Sequence, residues 1–86
     1  MPRMIVEIDV RVGEKKATTY AVYSTIVSDW VSGFHASIED LVKENKEFEN
    51  LPVVKYKEFF GDEAEAYVDE EGRLVLKYPV YVFSLT

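Results

Sequence analysis

Cysteine and glutamine are both missing from this chain, and histidine occurs once. Without cysteine there is no disulfide framework, no thiolate zinc site, no redox pair and no thiol nucleophile, so packing alone must hold the fold. The four glycines, at 13, 33, 61 and 72, are isolated, which excludes a glycine-rich phosphate loop. No apolar run reaches the roughly 18 to 20 residues that span a bilayer, and Met1-Pro2-Arg3-Met4-Ile5-Val6-Glu7 meets an acid before a signal-peptide core forms. The expectations are a cytoplasmic protein, no membrane contact and no cofactor.

What is present is a core-forming composition, with 48% hydrophobic and 30% charged residues in 86 positions, read as one domain over 1–86. Abundant Glu, Lys and Val without Gln fits a protein from a hot environment, and equally a de novo designed sequence.

The acid is concentrated. Residues 1–61 carry eight bases and ten acids, residues 62–71 carry six acids alone, and residues 72–86 carry two bases, which accounts for the net charge of −6. The six are Asp62, Glu63, Glu65, Asp69, Glu70 and Glu71. Such a segment attracts a basic protein partner and repels nucleic acid, or it is simply two solvated turns around a short strand. Its spacing is not that of a calcium loop, and no metal site is expected.

From Met4 to Val12 the chain alternates, with Val6, Ile8, Val10 and Val12 on one side and Glu7, Asp9 and Arg11 on the other, as a half-buried strand does. Gly13-Glu14-Lys15-Lys16 turns into a β-branched and aromatic stretch, 17–23, completing a hairpin. The spacing of Val27, Val31, Phe34, Ile38, Leu41 and Phe48 then predicts a long helix from about Thr25 to Glu47, N-capped by Ser24. A competing reading starts the helix at the capping-box-like Ser37-Ile38-Glu39-Asp40, leaving 24–36 as strand or loop. After Pro52, strands are expected over 53–60, 64–69 and 73–85, with Pro79 marking a bulge or a change of partner in a final central strand.

The expected fold is therefore α+β: a single long helix on a four- or five-stranded, mostly antiparallel sheet in the order ββαβββ. That order resembles the β-grasp domains, in which the first and last strands lie side by side. The chain ends Phe83-Ser84-Leu85-Thr86 and lacks the diglycine tail of a ubiquitin-like modifier. A hairpin strand, Tyr20-Ala21-Val22-Tyr23, leading to a helix opened by Ser37-Ile38-Glu39-Asp40-Leu41, faintly resembles HicB-like antitoxin domains over about a third of the chain. That pattern is shared by hairpin–helix units in general, and no membership is drawn from it.

Candidate chemistry is thin. His35 has Glu39 four residues on and Asp29 six residues before it, a base and two orienting carboxylates, but no second histidine to complete a metal site. Ser24, Ser28, Ser32 and Ser37 lack any nucleophile-elbow context and read as caps and spacers. Lys55-Tyr56-Lys57 interleaves base and aromatic as single-strand binders do, on a chain too acidic for nucleic acid.

Phe59, Tyr67, Val75, Tyr81 and Phe83 are expected on the sheet face that one helix leaves bare, a surface suited to a partner or a homodimer. The reading is a non-enzymatic interaction or inhibitor module using Asp62, Glu63, Glu65, Tyr67, Asp69, Glu70, Glu71, Tyr81 and Phe83, with no catalytic residues. The alternatives are an engineered or structural scaffold and a small ligand-binding protein or enzyme using the His35 region.

Overall fold

The computed structural model describes residues 2–85. Strand β1 (Arg3–Val12) and strand β2 (Lys15–Ser24) form the expected hairpin, in register from Arg3↔Ser24 to Val12↔Lys15. Gly13 makes the turn at φ 64°, a left-handed conformation that costs a residue without Cβ nothing.

The long helix does not form. Residues 25–28 turn, with Ser28 at φ 52°, and the chain returns along the outer side of β2 as β3 (Asp29–Trp30) and a bridge between Tyr20 and His35. Hydrogen bonds from Val31 N–H to the Val22 carbonyl and from Val22 N–H to Ser32 Oγ fix this extended path. The competing reading is the observed one: α1 (Ile38–Glu44) starts at Ser37, whose hydroxyl accepts from the Asp40 N–H. Acids in its first turn and Lys43 in its last suit the helix dipole. A 3₁₀ turn follows over Lys46–Asn50, capped by Asn45.

The second half differs too. The expected third strand is β4 (Val53–Lys55) followed by a short helix α2 (Tyr56–Phe60). Strand β5 (Ala66–Val68) comes next, and the apolar run at the end is two strands, β6 (Arg73–Lys77) and β7 (Val80–Ser84), reversing at Tyr78-Pro79. Val80–Phe83 thus lie on an edge strand rather than a central one.

The chain is 46% strand and 20% helical, with seven strands in one curled, mixed sheet, which overturns the expected long helix on a four- or five-stranded antiparallel sheet. The order β3-β2-β1-β5-β6-β7, with β4 also on β1, is not that of the β-grasp domains, because the last strand lies far from the first. Both β4 and β5 run parallel to β1 along the same edge, one after the other.

The curl has an inside and a partly covered outside. Inside lie Met4, Val6, Ile8 and Val10 of β1 with Tyr23, Tyr56, Ala66, Leu74 and Leu76. On the outside Ile5 and Val22 are sealed by Leu41 of α1 and by Phe48 and Leu51, so the first half of β1 is buried on both faces. Burying a Leu or Phe of this kind stabilises by roughly 1.5 to 3 kcal/mol.

Candidate functional site

Rings close the curl where hydrogen bonds do not. Trp30 meets Tyr23 edge to face and Phe34 at a tilt, at 5.2 Å each, and the Phe34 ring meets Tyr81 at 5.4 Å and Phe83 at 6.0 Å. Phe60 of α2 joins from below, against Tyr23 at 5.0 Å and Tyr56 at 5.5 Å. The indole N–H of Trp30 is buried in this seam with no acceptor among the described residues.

The register corrects the expected outer aromatic face. Leu76 lies opposite Tyr81 and Leu74 opposite Phe83, so both rings share the inner face with those two buried leucines. Tyr67, Val75 and Val82 do face outward as one row across β5, β6 and β7, with Arg11 of β1 stacking its guanidinium over the Tyr67 ring at 5.6 Å. Phe59 of α2 is exposed and meets Phe60 edge to face at 4.9 Å.

The six acids divide into two groups at opposite ends of β5. Asp62, Glu63 and Glu65 precede it and border a shallow depression with Lys77 and Tyr78. Glu65 pairs with Lys77 at 3.3 Å, and the hydrogen bond from that ammonium, with Lys57 and Arg11 nearby, holds its carboxyl below the usual range. Asp69, Glu70 and Glu71 form the turn into β6. Asp69 accepts from the backbone N–H groups of Glu71 and Arg73, both at 2.9 Å, and from Arg73 Nε at 2.8 Å. The Arg73 backbone bond leads in lowering its pKa, so Asp69 is the anchor of a turn rather than a free charge. Glu71 also reaches Arg73, at 3.4 Å. Asp62, Glu63 and Glu70 make no ion pair among the described residues.

His35 sits beside β2, not on a helix, and its carboxylate partner is Glu44 rather than Glu39 or Asp29. Nε2 lies 2.7 Å from Glu44 Oε1, which also accepts the Gly33 N–H at 3.0 Å. The bond from the histidine ring leads in depressing the Glu44 pKa. A Cβ at position 33 would lie 3.3 Å from that oxygen and 3.4 Å from Nε2, so glycine lets the pair sit against the backbone. Ser32 is committed, its hydroxyl accepting from Val22 N–H and donating to the Gly33 carbonyl. Ser24 caps the turn at Ile26 and Val27, and Ser37 caps α1. Among the described residues no group of three or more ligating side chains is placed to hold a metal ion.

Two features were not singled out from the sequence. One is the outer edge of β7, where the sheet ends. Leu85 N–H bonds back to the Gly72 carbonyl, so by alternation Tyr81 and Phe83 point their backbone groups at β6, and those of Val80 and Val82 point outward from the sheet. The side chains of Val80 and Val82 are 80% and 52% exposed. The other is a cleft of about 390 Å3 on the outer side of β1, walled by Glu7, Asp9, Arg11, Lys16, Lys55 and Lys57, with Tyr56, Glu58 and Glu65 beside them. Lys55 and Lys57 thus flank a charged cleft, while Tyr56 turns inward and donates its hydroxyl to the Tyr78 carbonyl at 2.6 Å.

Comparison with protein-family models, with curated proteins and with solved structures finds no match to this chain. No helix among the described residues is long and apolar enough to cross a membrane.

Proposed function

We propose that this protein acts by binding rather than by catalysis, as an interaction or inhibitor module whose contact element is the edge strand β7. The observation that carries this reading is the chemistry of that edge. Residues 78–86 contain no charged side chain. Exposed strand edges are ordinarily defended by lysine, by inward-pointing charge or by extreme shortness, because they template pairing with another chain. Here β3, the opposite end of the sheet, is two residues long, whereas β7 turns the backbone groups of exposed Val80 and Val82 outward and is followed by exposed Leu85.

Such an edge takes up an extended segment by strand addition, main-chain bonds giving affinity and alternate side chains giving selectivity. The acids at the two ends of β5 then act as flanking charge that draws a basic partner and sets the association rate more than the affinity. A second copy of this chain is the alternative occupant of the edge. The His35–Glu44 pair supports no enzymatic reading, since the nearby serines are engaged in backbone bonds.

The test is selection of binders from a displayed library of extended peptides, followed by mapping on the protein's amide resonances. Selected peptides should alternate β-branched or aromatic with polar residues, protect the Val80 and Val82 amides, and lose binding to Val82→Lys. Peptides that perturb other strands instead, or that bind Val82→Lys equally well, would overturn the reading. A concentration-dependent mass that Val82→Lys abolishes would assign the edge to self-association.

A further inference from the structure

Strand β7 pairs with β6 along one side only, and neighbouring bonds fix which of its backbone groups stay outward. Lys77 N–H donates to the Glu65 carbonyl and Leu85 N–H to the Gly72 carbonyl, so Leu74 and Leu76 turn to β7, and Tyr81 and Phe83 turn back to them. Val80 and Val82 are left facing outward, with Tyr81 between them. That spacing is self-complementary. When a second copy of the strand runs antiparallel about a two-fold axis at Tyr81, Val80 of each copy meets Val82 of the other, and each such pair exchanges two main-chain bonds.

The side chains fit that register on both faces. On the outer face Val75 lies beside Val82, so Val75, Val80 and Val82 of the two copies form one continuous apolar patch. On the inner face the row Ala66, Leu76, Tyr81 runs on into its counterpart, and the two Tyr81 rings fall in a non-hydrogen-bonded pair, where side chains approach most closely. Charge does not oppose the contact. Residues 78–86 carry none, and the cations of β6, Lys77 and Arg73, are engaged by Glu65 and Asp69. The surplus acid sits around β5, four to five strand spacings from its counterpart, which is roughly 20 Å and two Debye lengths in 0.1 M salt.

We propose that, when no partner is bound, a second copy of this chain occupies the β7 edge in this register, so that self-pairing and partner binding exclude one another. The inference rests on the edge-strand reading above and names what regulates that edge. A contact of one short strand is smaller than a standard interface, which puts its dissociation constant on the order of 0.1 mM. At about 1 mM protein roughly one-fifth of the chains are then free, and the apparent affinity for an edge-binding peptide falls about fivefold.

The chain has no cysteine, so single-cysteine variants read the register directly. Val80 and Val82 are 80% and 52% exposed, and neither change empties the core. Mixed in equal amounts at about 0.5 mM and oxidised, Val80→Cys and Val82→Cys should form about tenfold more disulfide dimer than either alone, because only the mixture sets two cysteines opposite one another, about 5.5 Å apart at Cα. Excess edge-selected peptide should suppress that dimer, and the unmodified protein should show a mass that rises with concentration over the same range. The proposal is overturned if Val82→Cys alone cross-links as readily as the mixture, if the mixture does no better than Glu14→Cys in the hairpin turn, or if the unmodified protein stays monomeric at about 1 mM. Peptides that still protect the Val80 and Val82 amides in that event leave the edge reading standing, and their failure to do so removes both.

Discussion

Phe34 and Tyr81 stand at the two ends of the sheet, one beside β2 and one on β7, and their rings meet at 5.4 Å. No backbone pairing joins β7 to β2 or β3. The curl is therefore held shut by side chains.

Phe34→Ala should then cost more than a half-buried ring ordinarily does. Contacts with Trp30, Tyr81 and Phe83 are lost together, and a loss of about 2 to 3 kcal/mol is expected by chemical denaturation. Trp30 fluorescence should shift to the red in the folded state as the seam opens. A loss under about 0.5 kcal/mol, the ordinary surface value, would show that the aromatic contact does not hold the sheet closed.

Glu44 should titrate below the ordinary glutamate range, and His35→Ala should return it toward that range. Because the folded pKa is lowered, the associated stability is present above the unfolded value and is lost as pH falls through the folded one. Both side chains are about one-third exposed, so the whole effect is at most about 1 kcal/mol after screening by water. Carboxyl chemical shifts of the two proteins across the acid range provide the check.

Tyr56 presents the opposite sign. Burial pushes its phenol up to about 12. Its contribution is complete below the ordinary tyrosine value of 10 and is lost as pH climbs from there to about 12. Tyr56→Phe should cost about 1 kcal/mol at neutral pH, one hydrogen bond, and should flatten the alkaline decline. An unchanged alkaline limb would assign that decline to other groups.

The acidic segment should behave as two kinds of residue. Neutralising Asp62, Glu63 and Glu70 together should leave the melting temperature unchanged or slightly higher, because these carboxylates have no ion-pair partner and repel their neighbours. Asp69→Asn should lower it, since Asp69 binds two backbone N–H groups and Arg73. Equal melting temperatures for the two variants would mean that the turn does not depend on the charge of Asp69.

The hairpin was legible because Val6, Ile8 and Val10 alternate strictly with polar residues and because Gly13 stands where the turn needs it. The capping signal at Ser37 was also legible, but the spacing of Val27, Val31, Phe34 and Ile38 outweighed it. That spacing is compatible with a helix only by count. Val27 is exposed in a turn, and the Val22 backbone and Ser32 hydroxyl settle the path of 29–35 through tertiary bonds that no local pattern announces. Val80–Phe83 looked like a strand covered on both faces, yet Phe34 covers only one of them. The sharing of one edge of β1 by β4 and β5 left no trace in the sequence, because it joins two distant segments.

Strand β1 leaves the ribosome well before the segments that complete its second edge. Its second edge waits for residues 53–55 and 66–68, and parallel pairings across such separations form slowly because a long loop must close before any bond rewards it. Until residues 53–55 and then 66–68 have been synthesised, the nascent hairpin carries a naked edge beside Ile5, Glu7, Asp9 and Arg11. Three of those four side chains are charged, which discourages pairing between neighbouring chains on a polysome during that interval.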